Sequence, residues 1–405
     1  MSFNPLEQRG IPIEDQLRSW SELNVEPYDK RSIHPYTRSR IILMNGIEVE
    51  SILFSHQFAR HTDNPEIRQQ LALSRRVESQ QQKAINWLSP GDETPLETTI
   101  GYEQVAIDLT AWLARNEPDP YLRQTFDFGL LEDFDHLYRY ANLYELINGA
   151  KAEELTKGLT EITPGRPTMV EHRHPSDDLR RHYEKHTVDP LSRLHVLTLV
   201  AGEQQTMNFY MNHGPDFMEP VARGLYLEIA EIEEQHVTQY ESLLDPLESW
   251  LEQLLFHEYN EVYLYHSFME EEPDERMRKI WELHLNMELE QLHVAAELLR
   301  KYEGKEAAEI LPPALPQPTK FVSNKDYVRK VLAEQIDLRT DGADYVPVEQ
   351  TPGRTRRYQE QVNAGGVPSE QVIEENRSKN GREYRQETEG EHPVVDLRER
   401  TEARN

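Results

Sequence analysis

Two stretches of the sequence, residues 100–136 and 200–236, align with each other without a gap at an offset of 100. Each stretch carries a glutamate, then a Pro- and Gly-containing turn, and then an acid that lies three residues before a histidine. Residues three apart share one face of a helix, so the acid and the histidine can reach the same ion. The matched residues are Glu103 and Glu203, Asp133 and Glu233, His136 and His236, and Tyr140 and Tyr240. The repeat predicts two helical hairpins of one design.

The glutamates and the acid–histidine pairs fall on apolar stripes of their predicted helices. Glu203, for example, shares its stripe with Leu199, Val200 and Met207, and His136 shares its stripe with Leu130. Burying carboxylates is costly unless they have partners, and a metal ion gives several of them a partner at once. The stripes therefore predict a buried metal site, whose ligands are Glu103, Asp133, His136, Glu203, Glu233 and His236.

The acid–histidine spacing alone is weak support, because five of the 16 histidines have an acid three residues earlier. Two of these, His174 and His392, lie in a Pro-rich connection and in a polar tail, and we do not interpret them as ligands. The connection, residues 149–189, holds four histidines in all, and we expect it to be a solvated loop. We also interpret histidines and acids on the helices before residue 90 as structural, namely His56, His61 and Glu78.

A third hairpin at residues 247–303 offers a second choice of ligands, namely Glu258, Glu290 and His293. These residues keep strict glutamates and could form a site together with Glu203, Glu233 and His236. Only a few residues around Pro246 join the second and third hairpins, whereas the long connection at residues 149–189 joins the first and second. The long crossover favours pairing the first hairpin with the second.

Composition excludes several classes of function. The net charge of −29 argues against nucleic acid or an anionic membrane as the main partner. The absence of cysteine excludes disulfides, iron–sulfur centres, thiolate zinc sites and thiol nucleophiles, so a metal must be held by histidines and carboxylates. No stretch of about 18 uncharged apolar residues and no signal peptide is present, and we expect a cytoplasmic protein.

We predict three segments along the chain. Residues 1–65 are an N-terminal extension with a short β-hairpin at 41–49, where Asn45-Gly46 suits a tight turn, followed by a helix. Residues 66–310 form the helical bundle, with its core at 96–245 and the extra hairpin after it. Residues 311–405 are polar and rich in Pro and Gly, and we expect a mostly disordered tail, or an extended arm that wraps a partner subunit, with one short helix near 324–336.

The order of glutamate, acid-x-x-His, long crossover, glutamate and acid-x-x-His resembles the ligand plan of the ferritin-like di-metal carboxylate proteins. This superfamily includes rubrerythrins, ferritins, manganese catalases and di-iron oxygenases, and the resemblance covers residues 96–245. It implies an all-α fold, a ferritin-like four-helix bundle with additional helices, and two iron ions or two manganese ions. Two departures are the extra hairpin and Asp133, where most members have glutamate; the adjacent Glu132 is an alternative ligand.

The resemblance also implies roles for the ligands. Glu103 and Glu203 would be terminal ligands, Asp133 and Glu233 would bridge, and each metal would take one histidine. Tyr140 and Tyr240, one turn beyond the histidines, are either hydrogen-bonding groups near the site or core aromatics.

The implied function is an oxidoreductase that acts with dioxygen or hydrogen peroxide. Without cysteine the chain has no rubredoxin centre of its own, so an oxygenase would need an external electron donor. The alternatives are a ferroxidase or iron-handling protein and a non-catalytic helical scaffold with vestigial sites. The sequence names no catalytic residue, and a homo-oligomer is open.

Overall fold

A computed structural model shows a predominantly helical protein, as the sequence predicts. The structure describes residues 3–402, without the side chains of residues 399–402. Within that range the helices are α1 (Trp20–Leu23), α2 (Pro35–His61), α3 (Pro65–Asn86), α4 (Pro95–Asn116), α5 (Pro120–Asn148), α6 (Glu153–Thr156), α7 (Thr168–Glu171), α8 (Pro190–His213), α9 (Pro220–Glu241), α10 (Trp250–Glu271), α11 (Glu275–Glu303), α12 (Lys325–Gln335), α13 (Gly353–Val362), α14 (Pro368–Asn380) and α15 (Val395–Glu402). Two strands, β1 (Leu338–Asp341) and β2 (Asp344–Pro347), form an antiparallel hairpin. Across the described residues, no helix combines the length and the apolar character needed to cross a bilayer.

The ends of the long helices follow from local sequence. Asp119 caps α5 by accepting hydrogen bonds from the backbone N–H groups of Tyr121 and Leu122, and a proline follows it at the first helical position. Asn64 caps α3 in the same way. Gly149 ends α5 with a φ of 66°, in the left-handed region where glycine carries no steric penalty. These signals set the lengths of the helical hairpins.

The chain divides into two compact units, each built from separated stretches of sequence. The first unit contains residues 1–93, 182–205 and 244–320. In it α2 packs against α3 and α10, and α11 packs against α10 and α3, so each of these four helices contacts two of the others. Apolar side chains from all four are buried between them, including Met44, Val77, Val262 and Leu292.

The second unit contains residues 94–181, 206–243 and the chain from residue 321 onwards. Helix α5 contacts α4, α7, α9, α12 and α14, and it is buried on all sides over most of its length. Helix α8 contributes to both units, because the division falls after Gln205 in its second half. The three predicted segments are therefore not the units of this fold.

The predicted β-hairpin at residues 41–49 is wrong, since this stretch lies inside α2. Gly46 forms no turn and instead lets α2 pack closely against α8. A Cβ at Gly46 would collide with the side chain of Gln205 and would lie 3.1 Å from the Ala201 carbonyl oxygen, both on α8. Tertiary packing therefore overrides the turn signal of Asn45-Gly46.

The C-terminal region was predicted to be mostly disordered, and the structure corrects this. The short helix near 324–336 is confirmed as α12, but β1, β2, α13 and α14 follow it. Val372, Ile373 and Tyr384 are buried, and α14 packs against α5 and α9. Arg139 on α5 donates a hydrogen bond to the Ser369 carbonyl oxygen at 3.1 Å. A few apolar residues in a polar stretch are enough to dock it on the helices.

Candidate metal centre

Three helices of the second unit bring five of the six predicted ligands together. Helix α4 carries Glu103, α5 carries Asp133 and His136, and α9 carries Glu233 and His236, and each side chain is at most 1% exposed. Possible ligand atoms of Glu103, His136 and Glu233 lie within 4.8 Å of one another, and so do those of Asp133, Glu233 and His236. Glu233 belongs to both groups.

The two imidazole rings face this shared carboxylate with the same nitrogen. The Nδ1 atom of His136 lies 3.1 Å from Glu233 Oε1, and the Nδ1 atom of His236 lies 3.2 Å from Glu233 Oε2. Asp133 Oδ1 lies 3.4 Å from the same atom of His236. The rings stack with their centroids 5.9 Å apart. Both Nδ1 atoms and both acids thus converge on one space.

The far nitrogen of each ring is held by another buried carboxylate. His136 Nε2 lies 2.9 Å from Glu171 Oε2, and His236 Nε2 lies 2.7 Å from Glu132 Oε2. A carboxylate at Nε2 favours a proton there, which leaves Nδ1 free to bind a metal. The sequence did not indicate Glu171 for this role.

Glu132 is therefore a support for His236 and not the alternative ligand that the sequence offered in place of Asp133. Arg173 Nη1 donates to both Glu132 oxygens at 2.6 and 2.8 Å, and Arg166 Nη1 donates to one of them at 3.2 Å. Burial opposes ionisation of Glu132, but the charge of Arg173 and the hydrogen bond from His236 hold the pKa of its carboxyl well below the ordinary range. The two arginines balance charge that the ligands bring to the interior.

The connection that supplies Glu171 and Arg173 is not the solvated loop expected from the sequence. Most residues from 160 to 173 are buried. Gly165 lets the connection touch α5, because a Cβ at this position would collide with the Leu131 carbonyl oxygen. Its N–H donates to Asp135 Oδ1 at 3.0 Å. The irregular segment therefore forms one wall of the site.

The histidines of the connection lie outside the centre, as the sequence analysis expected. His172 is buried but its Nε2 lies 3.3 Å from Glu228, while the ring of His174 bonds to Ser176. His182 and His186 are exposed.

Tyrosines line the side of the centre beyond Glu103. Tyr210 Oη donates to Glu103 Oε1 at 2.5 Å, and burial followed by the charge of Glu103 raises the pKa of Tyr210 well above its ordinary value. The ring of Tyr140 packs 5.1 Å from that of Tyr210, and its hydroxyl has no hydrogen-bond partner among the described residues. Gly129 leaves room for the hydroxyl of Tyr240, which a Cβ there would strike.

The sixth predicted ligand, Glu203, lies on α8 two residues before the division between the units and is 3% exposed. The helical repeat places it on the same face of α8 as Tyr210, seven residues later.

The second choice of ligands does not form a buried group in the first unit. Glu290 and His293 are partly exposed, and His293 Nε2 lies 2.7 Å from the Gln8 carbonyl oxygen. The buried face of α11 instead carries Glu288 and Gln291, while Glu258 is buried on α10. The predicted third motif is therefore out of register by two residues.

The buried imidazole nitrogens and carboxylate oxygens of the second unit could hold a metal ion. The absence of thiolates disfavours the softest metals, such as Cu⁺. Burial opposes ionisation of Glu233, but without a metal the hydrogen bonds from both imidazoles lower its pKa to about 2; a bound cation would take the place of the Nδ1 protons. Glu103 and His136 would serve one ion, and Asp133 and His236 the other.

Comparison with known proteins identifies no family for the chain. No protein-family model matches it, and no curated protein and no solved structure matches it at a significant level.

Proposed function

We propose that the second unit holds two iron or two manganese ions and is an oxidoreductase that acts with dioxygen or hydrogen peroxide. One observation carries the proposal: His136 and His236 turn their Nδ1 atoms to the two oxygens of Glu233, and carboxylates hold both rings from behind. A carboxylate behind each ring is the support that metal-binding imidazoles usually have. The bound ions would supply the change of oxidation state and the open positions for an oxygen species.

The protein's own residues have distinct tasks in this proposal. Glu103, Asp133, Glu233 and the two histidines, all in the second unit, hold the ions. Glu132 and Glu171 keep the imidazoles in the tautomer that binds metal. Tyr210 orients Glu103 through its hydrogen bond.

Burial favours a small oxidant as the molecule that reaches the centre. The ligands of the second unit are at most 1% exposed, and the side toward α8 is filled by tyrosine rings. Dioxygen and hydrogen peroxide fit such a space better than a large organic substrate. An organic substrate would require the wall formed by the connection to move.

The test is elemental analysis of the full chain purified without added metal, with optical spectra under air and after peroxide, and with oxygen evolution as the readout of peroxide disproportionation. We expect about two equivalents of iron or manganese that are lost in Glu233→Gln. The matched control is Glu234→Gln, which changes the exposed neighbouring glutamate of α9 and should keep the metal. A chain that takes up no iron or manganese, even after anaerobic loading, would overturn the proposal.

A further inference from the structure

The first unit contains a second group of buried carboxylates. It consists of one glutamate from each of its four long helices, namely Glu48 on α2, Glu78 on α3, Glu261 on α10 and Glu288 on α11. One carboxylate oxygen of each lies within 4.8 Å of the others, and each residue is at most 2% exposed. This group was not predicted from the sequence, where we interpreted Glu78 as structural.

This group repeats the layout of the metal centre at a constant step along the chain. A step of 55 residues takes Glu48 to Glu103 and Glu78 to Asp133, and the same step takes Glu233 to Glu288. It also takes Tyr210 to Tyr265.

These two tyrosines make equivalent contacts in the two units. Tyr265 Oη donates to Glu48 in the first unit, as Tyr210 Oη donates to Glu103 in the second. Three of the four carboxylates of the first unit, Glu48, Glu78 and Glu288, therefore match proposed metal ligands of the second unit.

Glutamines stand where the metal centre has histidines. In the sequence alignment with this step of 55 residues, Gln81 matches His136 and Gln291 matches His236. Gln81 Nε2 donates to Glu288, and Gln291 Nε2 lies 3.1 and 3.0 Å from the two oxygens of Glu288. Both amides thus lie inside the group, three residues after Glu78 and Glu288.

An amide oxygen in this group lacks a partner. Gln291 is 1% exposed, and its Oε1 accepts no hydrogen bond from the described residues. The same is true of both oxygens of Glu78. A buried oxygen without a donor is costly, and several of them around one space indicate a missing cation.

The described side chains place no cation against these carboxylates. Among the described residues, no lysine, arginine or histidine forms an ion pair with Glu48, Glu78, Glu261 or Glu288. His284 lies 3.1 Å from the Tyr265 hydroxyl, but burial lowers the pKa of its ring to about 3, so the ring is neutral. Burial and then the neighbouring carboxylates raise the pKa values of Glu48 and Glu78 well above the ordinary range.

We propose that the first unit holds a second metal site, formed by Glu48, Glu78, Glu261 and Glu288, and that this site takes a hard divalent cation. All of its donors are oxygens. Carboxylate and carbonyl oxygens suit Mg²⁺, Ca²⁺ and Mn²⁺, and the absence of imidazole removes the donor that favours zinc and iron. The site differs from the metal centre of the second unit in ligand chemistry and does not depend on it.

The first test uses Mn²⁺ as the probe, followed by electron paramagnetic resonance in the metal-free full chain carrying Glu233→Gln, which disables the other centre. We expect at least one bound Mn²⁺, which an excess of Mg²⁺ or Ca²⁺ displaces. Adding Glu78→Gln should weaken Mn²⁺ binding by at least about tenfold, since even outer partners of a metal contribute that much. The control is Glu282→Gln, which changes an exposed glutamate on α11.

Binding that is equal in the Glu78→Gln chain, or absent while the circular dichroism is native, would overturn the proposal. Because the other centre is disabled in every sample, a failure of the proposed oxidoreductase function leaves this result unaffected.

A second measurement requires no variant of the first unit. Without metal the buried carboxyl groups should be protonated and give the infrared C=O band of carboxylic acids. Mn²⁺ should remove that band by displacing the protons. A band that persists at saturating Mn²⁺ would mean that protons, not a cation, neutralise the group, and the proposal would be withdrawn.

Discussion

The two units place carboxylates at matching positions, but they balance the negative charge by different means. In the second unit, Arg166 and Arg173 pair with Glu132, and two imidazoles contact Glu233. In the first unit, amide groups occupy the imidazole positions, and the carboxylates have no ion-pair partner among the described side chains. Similar positions of the acids can therefore be combined with different groups that balance their charge.

The difference shows which residues set each property. The 30-residue spacing from Glu48 to Glu78 and from Glu103 to Asp133 is a property of the helical hairpin, and it sets where the acids lie. The residue three positions after the acid of the returning helix, histidine in one unit and glutamine in the other, decides whether an imidazole or an amide lies beside the acids. Exchanging that residue is therefore the most direct way to test the comparison.

The largest effect is expected from removing the shared carboxylate of the second unit. Glu233→Gln should abolish iron or manganese binding and any oxidase or peroxide activity, because both ligand groups lose a member. Mn²⁺ binding in the first unit should remain. Elemental analysis of this variant and of Glu288→Gln should give opposite patterns, and a joint loss in either variant would show that the two sites are not independent.

Removing the arginine that neutralises Glu132 should have the next largest effect. Arg173→Ala leaves Glu132 with only one arginine, and breaking a buried ion pair costs about 3 kcal/mol in the free energy of unfolding. Urea unfolding measures it. Arg181→Ala is the control, since its side chain is 65% exposed and its pair with Asp344 should contribute less than about 1 kcal/mol. Equal losses would mean that Arg173 does not neutralise the interior.

Histidines can be placed where the first unit has glutamines. Gln81→His together with Gln291→His should raise the affinity for Zn²⁺ relative to Mn²⁺ by about tenfold, because imidazole is the donor that zinc prefers. Competition between the two metals in the Glu233→Gln background measures the ratio. An exposed exchange on α2, Gln57→His, serves as the control. An unchanged ratio would show that these amide positions do not face the cation.

The smallest effects are expected at the equivalent tyrosines. Tyr210→Phe and Tyr265→Phe each remove one hydrogen bond to a buried glutamate, and each should cost about 1 kcal/mol in the metal-free protein. Thermal unfolding of the two variants should agree closely. A loss in one variant only would indicate that the two hydrogen bonds are not equivalent after all.

The apolar stripes and the acid–histidine spacing were enough to predict the helical hairpins and to select five side chains that lie together in the second unit. Glu171 could not be predicted, because it lies on an irregular segment that has no periodicity to interpret. The register of the third hairpin was wrong because Glu290 and His293 satisfy the motif, whereas the buried face carries Glu288 and Gln291. The carboxylate group of the first unit contains no histidine, so the acid–histidine spacing could not indicate it.

A repeat at an offset of 55 residues does indicate the first unit in the sequence. Residues around the turn between α2 and α3 match those between α4 and α5 at the step of 55, for example Arg60 with Arg115 and Pro65 with Pro120. Polarity misled the prediction for the C-terminal region, since docking onto preformed helices needs less apolar surface than an independent core. Docking partners are not visible in a local window of sequence.

The first unit is built from separated stretches of the chain, so its helices are not synthesised one directly after another. Helices α2 and α3 leave the ribosome early, but α10 and α11 follow only after α4 to α9 have been synthesised. Joining the two hairpins closes a long loop, which costs entropy and slows folding. Until then, Glu48 and Glu78 remain in water, where they can ionise and attract cations. The order of synthesis thus gives a free cation the chance to enter before the helices close around it.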